Sequence, residues 1–430
     1  MTSPTFGLVF NRDSTDARPA QPSDLSVIGL VLPADDADAQ AFPLNEPVAF
    51  DSGDAAILGK LGDSELAYAV AGVDDQLADL QTSARVVAVR VAKGATDAET
   101  IANIIGSRTA ASAAGHVGTG LYALLRAGSQ VAVIPRLIGA PGYTGITTEQ
   151  DGVMQANPIC AALPSICNAL LAHAVVAGPG EGQQAAQNWF ETLPSGRLIA
   201  MDCPVRVAAG TGSRIEDGAA RALGIGARVD FEHGGYPFHS FANRQVNGII
   251  GLKTYYPFSW VDGATTGQEL LANHIGVIER GELGVETAAA SNGFVFMGLH
   301  STETDPTWWF YNKTRARDWT HLALIKSVRL RMGVHNVNPH SVQAVLNDMA
   351  VINQEALMNG GSVGFHVGFE ASKNNPSNLR QGKFRVFFAQ EEPAPITQIT
   401  IDSRPFYKAL EVELATLIAQ AATLVPQYAA

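Results

Sequence analysis

A chain of 430 residues that is 46% apolar can bury a sizeable core and should hold two or three domains. Only 16% of it is charged, which is low for a monomeric surface and implies faces covered by other protein. A formal net charge of −12 argues against nucleic acid as a partner, and no apolar run reaches the roughly 18–20 residues of a membrane span.

Residues 1–23 read as an N-terminal arm. A β-prone piece carrying Phe6, Leu8 and Phe10 is tethered by Arg18-Pro19-Ala20-Gln21-Pro22-Ser23. It has little of its own to pack against, so it reads as a strand that completes another chain's sheet. The same N-terminus lacks a basic region followed by an apolar one, so it does not read as a secretory signal.

Residues 24–110 read as a first α/β segment. A strand over 25–32 stops at Pro33, an acidic loop follows at Asp35-Asp36-Ala37-Asp38, and 47–50 is a second strand. Helical patterns cover 64–71 and 74–80, and RVVAVRV at 85–91 is a clear strand. Residues 111–305 repeat the rhythm. In TGLYALLRAGSQVAVIPRLIGAPG, 119–142, a helical pattern on Leu121, Leu124 and Leu125 leads into β-rich residues 131–134. That run breaks at Pro135, resumes at 137–138 and stops at Gly139-Ala140-Pro141-Gly142. Beyond it, helices are expected over 180–193, 215–223 and 265–279, strands over 197–201, 246–252 and 293–297, and extended chain over 228–231.

From 306 to 390 the pattern is that of an α+β module, with helices over 319–331 and 341–358 and strands over 363–369 and 382–389. Residues 391–430 begin with the link Glu391-Glu392-Pro393-Ala394-Pro395. A β piece carrying Ile396, Ile399 and Ile401 follows, then a helix over 407–424 with a Leu410, Leu414 and Leu417 stripe. Together these elements make an α/β domain plus an α+β C-terminal module with extended N- and C-terminal arms.

The α/β rhythm invites a search for catalysis, and the chain supplies no convincing set. Gly118-Thr119-Gly120 opens a helix without the third glycine of a dinucleotide fingerprint, and no Gly-Lys-Ser/Thr of a phosphate loop occurs. His116-Val117-Gly118-Thr119 has a faint look of a serine protease histidine segment, but no nucleophile elbow or Gly-Thr-Ser-x-Ala context accompanies it. His233, His239 and His274 lack helical i, i+4 ligand spacing and read as structural. No catalytic, metal or cofactor residue is assigned.

Three cysteines have no metal spacing. Cys160 and Cys167, seven apart on an expected helix, would sit about 10 Å apart, beyond disulfide reach unless Pro164 bends the segment. Cys160, Cys167 and Cys203 are either buried thiols or partners in bonds between subunits. Lys313, Arg315, Arg317, Lys326, Arg329 and Arg331 form a basic cluster in an acidic chain. It is either a solvated helix face or a patch that meets an acidic protein surface.

The 119–142 segment, RVVAVRVAKG at 85–94, MDCP at 201–204 and the C-terminal order of helix, Gly-Gly turn, strand, Asn-Pro loop, Gly-Lys strand, Pro-rich link and β piece are together similar to contractile phage tail sheath proteins. The likeness is to the P2-like branch, whose subtilisin-like domain lacks catalytic residues. The resemblance implies a structural, non-enzymatic subunit of a virion tail, made and assembled in a host cytoplasm. Such subunits stack as six-fold rings around a tail tube protein and exchange strands through both termini. They also meet baseplate and tail terminator proteins, and they contract to drive the tube through an envelope. It implies the tube or a neighbour as the partner of the basic cluster, and no cofactor, nucleic acid or membrane anchor. Bacteriocin and secretion-system sheaths share the likeness. The alternative from a different class is a divergent hydrolase on a subtilisin-like fold.

Overall fold

The computed structural model describes residues 24–150 and 153–424. The expected arm strand at Phe6, Leu8 and Phe10 lies outside them. The chain parts after Pro395 into two compact units.

The first unit is organised on a six-stranded sheet of β1 (Ile28–Pro33), β2 (Pro47–Asp51), β3 (Arg85–Val91), β4 (Leu137–Gly139), β5 (His173–Ala177) and β6 (Leu198–Met201). The strands lie in the order β2-β3-β1-β4-β5-β6, with β2 antiparallel to β3 and every other pair parallel. Parallel strands covered on both faces are apolar throughout rather than alternating. Accordingly β1, β4, β5 and β6 are buried at every position. Because β1–β3 and β4–β6 share this sheet, the boundary expected at 110/111 falls inside one core. The exposed small-residue loop that crosses it imitates a linker.

The helices that bear on this sheet include α1 (Glu65–Asp74), α2 (Pro158–Leu170) and α3 (Ala219–Glu232). Ser64 caps α1 by accepting from Ala67 N–H, and Asn157 caps α2 by accepting from Ile159 and Cys160. Helix α3 is buried without a break over Ala219–Asp230, because it packs against both α1 and the sheet. A side chain at Gly224 would bring its Cβ within 2.7 Å of the Val73 carbonyl, so the close approach needs glycine. A helix buried all round has no amphipathic stripe. That is why 228–231 reads as extended although it lies within α3. Residues Gly212–Glu216, the last two of which are expected to begin a helix, instead pair antiparallel with Val205–Ala209 across Gly210, whose φ is 55°.

Other expectations fail at turns. Residues 131–134 form no strand, because Ala132 adopts φ 56° and turns the chain before β4. Within 246–252 only Gly251–Leu252 is paired, and Gly248 at φ 73° breaks the run. The helix expected over 265–279 covers Thr266–Ala272; His274 at φ 64° ends it, and Val277–Arg280 is a strand. A helix at Asp97–Ile105, capped by Thr96, is not among the expected elements.

A second core lies under α4 (Tyr311–Val328) and α5 (Pro339–Met358). Leu25, Phe238, Trp319, Leu322, Ile352 and Ala356 form it. Helix α5 also packs on the antiparallel pair β7 (Gly364–Gly368) and β8 (Phe387–Glu391). Helix α4 starts two turns before the expected 319, because those turns bury Asn312, Lys313, Arg315 and Asp318 and show no apolar stripe. The second unit holds Ile396, Ile399 and Ile401, all exposed and in no strand, and α6 (Tyr407–Leu424) with Leu410, Leu414 and Leu417 exposed. Among the described residues no helix is long and apolar enough to cross a membrane.

Candidate functional site: the arm roots on helix α4

The first turns of α4 gather the densest set of buried ionic contacts. Arg315 and Asp230 are each 1% exposed and bonded through both carboxylate oxygens, with Arg315 Nη1 3.0 Å from Asp230 Oδ1. Burial pushes the Asp230 carboxyl upward, and the Arg315 charge opposes that. Nη2 of Arg315 also donates to the Leu25 carbonyl at 3.2 Å. One turn on, Asp318 accepts two bonds from Arg197, which stands just before β6. Burial again raises the carboxyl and the guanidinium opposes it.

The opposite side of these turns holds the end of β8. Arg317 donates to both oxygens of Glu392, at 2.5 and 3.0 Å, and to the Gln390 carbonyl at 2.7 Å. Asn312 donates to the Pro393 carbonyl at 3.3 Å, and Lys313 stands 3.4 Å from Glu391. The expected basic cluster is therefore not one patch. Arg315 and Arg317 hold buried carboxylates, Lys313 pairs with the exposed Glu391, and Arg331 is bonded to Asp348 at 2.7 Å. Arg329 is exposed at the end of α4, and Lys326 is half-buried, its ammonium pKa lowered by desolvation first and then by Arg329.

Near α4 a cavity of about 380 Å³ is lined by His173, Arg197, Glu303, Trp308, Asp318 and His321. Its strongest charges, Arg197 and Asp318, bind each other. Desolvation holds the His173 imidazole well below its usual range, so it lines the wall as a neutral ring.

A serine, a histidine and an acid do meet elsewhere. Ser112 Oγ donates to Glu46 Oε1, while His116 Nδ1 and Arg126 Nη2 each lie 3.1 Å from Glu46 Oε2. Burial acts to raise the Glu46 carboxyl, and these donors together bring it below its ordinary value. A nucleophilic triad needs the hydroxyl on the imidazole and the acid behind it. Here hydroxyl and imidazole both bind the acid, so the geometry does not activate Ser112.

His233 stacks on His239 at 3.6 Å and His274 on His300 at 4.1 Å between ring centres. Among the described residues no three potential ligands come together for a metal. Cys160, Cys167 and Cys203 are free and at most 1% exposed. Burial pushes the first two thiols up to about 12 and Cys203 well above its usual value. Bonds between subunits would need these sulfurs at a surface, and all three instead fill the core.

Among the described residues the β7–β8 sheet has two strands, so each lacks a described partner on one side. Two-stranded sheets are marginal alone. The exposed isoleucines of 396–401, where a β piece is expected, pair with no strand among the described residues.

No family model matches the chain. The tail sheath protein of Escherichia phage P2 is 27% identical over 394 residues, which cover 88% of this chain and 90% of that one. The major tail sheath protein of Serratia phage KSP20 is 27% identical over 396 residues, covering 91% and 92%. This chain is a relative of the phage tail sheath proteins. A prophage major tail sheath protein of Pseudomonas aeruginosa adds 28% identity over 321 residues, covering 72% of this chain and 75% of that one. The fold agrees with solved contractile sheaths. A contracted sheath complex of the extracellular contractile injection system PVC gives a TM-score of 0.62 at 14% identity, covering 94% of this chain and 99% of the other. The contracted helical sheath of the anti-feeding prophage gives 0.58 at 13%, with the same coverage.

Proposed function

We propose that this chain is the structural subunit of a contractile phage tail sheath. Copies stack as six-fold rings around a tail tube, anchored by a baseplate, and their contraction drives the tube through a cell envelope. The observation that carries the reading is likeness to tail sheath proteins along nearly the whole chain. An incomplete two-stranded sheet and an unpaired β-prone segment in the same chain support it, because each is what the other lacks.

In this reading residues 1–23 and 391–401 are arms that add strands to the sheets of neighbouring copies. Residues 24–305 are a rigid body with a subtilisin-like sheet without a catalytic set, and its run of parallel strands supports that label. Residues 306–390 are the module nearest the tube, and Arg329 is the member of the basic cluster left exposed to meet it. No membrane anchor or nucleic acid enters the mechanism. Negative-stain microscopy of the purified full-length protein tests the reading. Long tubes with a helical lattice are expected. Discrete monomers or dimers with esterase or protease turnover would overturn it in favour of an enzyme.

A further inference from the structure

Both proposed arms leave the body at the same stretch of α4. Arg315 binds the Leu25 carbonyl, immediately after the N-terminal arm. Asn312, Lys313 and Arg317 bind Pro393, Glu391 and Glu392, the first residues of the C-terminal one. Residues 312–317 span less than two helical turns of about 3.6 residues each. The same stretch is fastened inward at three points. Arg315 binds Asp230 on α3, Asp318 binds Arg197 beside β6, and Tyr311 Oη donates to the Gly298 carbonyl at 2.8 Å.

We propose that the 311–318 stretch of α4 is a tension junction, which passes force between the two arms and into the core while the lattice rearranges. The inference rests on the reading that both ends exchange strands between copies. Three features carry it. Glu392 is 3% exposed although it adjoins Pro393-Ala394-Pro395, so the C-terminal root is fixed within the Pro-rich link itself. Leu25 is 1% exposed and sits in the second core beside Trp319, so the N-terminal root is fixed by packing as well as by Arg315. The fastenings are mostly ionic and bidentate. Buried ion pairs add little net stability compared with apolar packing of similar volume. They are directional, however, and a pulled root must break several charge-assisted bonds together. A stretch that served monomer stability alone would have no need to grip both roots.

The test compares assembled full-length sheaths of wild type, Arg317→Gln/Glu392→Gln and Lys313→Met after identical shear and urea exposure. Tubes broken between rings are counted by negative-stain microscopy, and soluble subunits are melted in parallel. The double variant removes both charges, so no carboxylate is left buried alone. Its subunits should melt close to wild type and build tubes, but the tubes should break several-fold more often. Lys313→Met should show a smaller increase. Arg85→Gln/Asp51→Asn removes an exposed ion pair on the β2–β3 edge and should break no more often than wild type. Equal breakage of the double variant and wild type overturns the junction, as does equal breakage of the double variant and the β2–β3 control. If the double variant does not fold, an unchanged count for Lys313→Met overturns it. Tubes that form normally without either arm sink the strand-exchange reading itself, and the junction with it.

Discussion

At the scale of single residues, the buried Arg315–Asp230 pair illustrates how charge is kept in a core. Neither side chain reaches water, and each supplies the other's counter-charge. Removing one partner leaves the other desolvated and unpaired. Arg315→Met should therefore destabilise the soluble subunit by about 3–5 kcal/mol. Arg315→Met/Asp230→Leu removes both charges and should recover most of that loss. Urea unfolding followed by tryptophan fluorescence measures both, since Trp319 is buried one turn away. A cost below about 1 kcal/mol for the single variant, the range of exposed pairs, would mean that water screens the pair.

At the scale of elements, the expected terminal β piece has no strand partner among the described residues, and the prediction concerns what it pairs with. In an added strand successive backbone N–H groups point to opposite sides, so of two adjacent residues one must donate toward the neighbour. Proline removes that donor. Of Ile399→Pro and Thr400→Pro, at least one should then prevent ordered tubes while the subunit stays soluble and folded. Normal tubes from both variants would contradict strand addition at this segment. The sequence made regular elements easy to read. RVVAVRV is β3 to the residue, and α5 and β5's neighbour β6 are close to their expected spans. Elements defined by tertiary contact were harder. Helix α3 hides its pattern because every side is buried, and α4 hides its first turns because their buried groups are charged. The basic cluster was legible as composition. Its pairing with Asp230, Glu391 and Glu392 was not, because those carboxylates are far away in sequence.

At the scale of the whole molecule, a low charge content and a set of exposed apolar side chains describe a subunit completed by its neighbours. Trp260, Val261 and Leu283 are 49%, 80% and 90% exposed on the first unit, and the terminal segment adds Ile396, Ile399 and Ile401. Strand exchange supplies the connection between copies in the proposed lattice. An added strand with roughly four to six backbone hydrogen bonds, at about 0.5–1.5 kcal/mol net each, contributes roughly 2–9 kcal/mol per arm. A lattice built on many such contacts should fail cooperatively when one arm of every subunit is missing. Among the described residues, by contrast, the buried clusters already pack extensively from Leu25 onward. Deleting residues 2–20 should therefore abolish ordered tubes and leave a soluble subunit that melts near the wild-type temperature. Microscopy and thermal melting of the same preparation separate the two effects. Normal extended tubes from the truncated chain would show that the N-terminal segment is not an arm. A collapsed melting temperature would show instead that it belongs to the body.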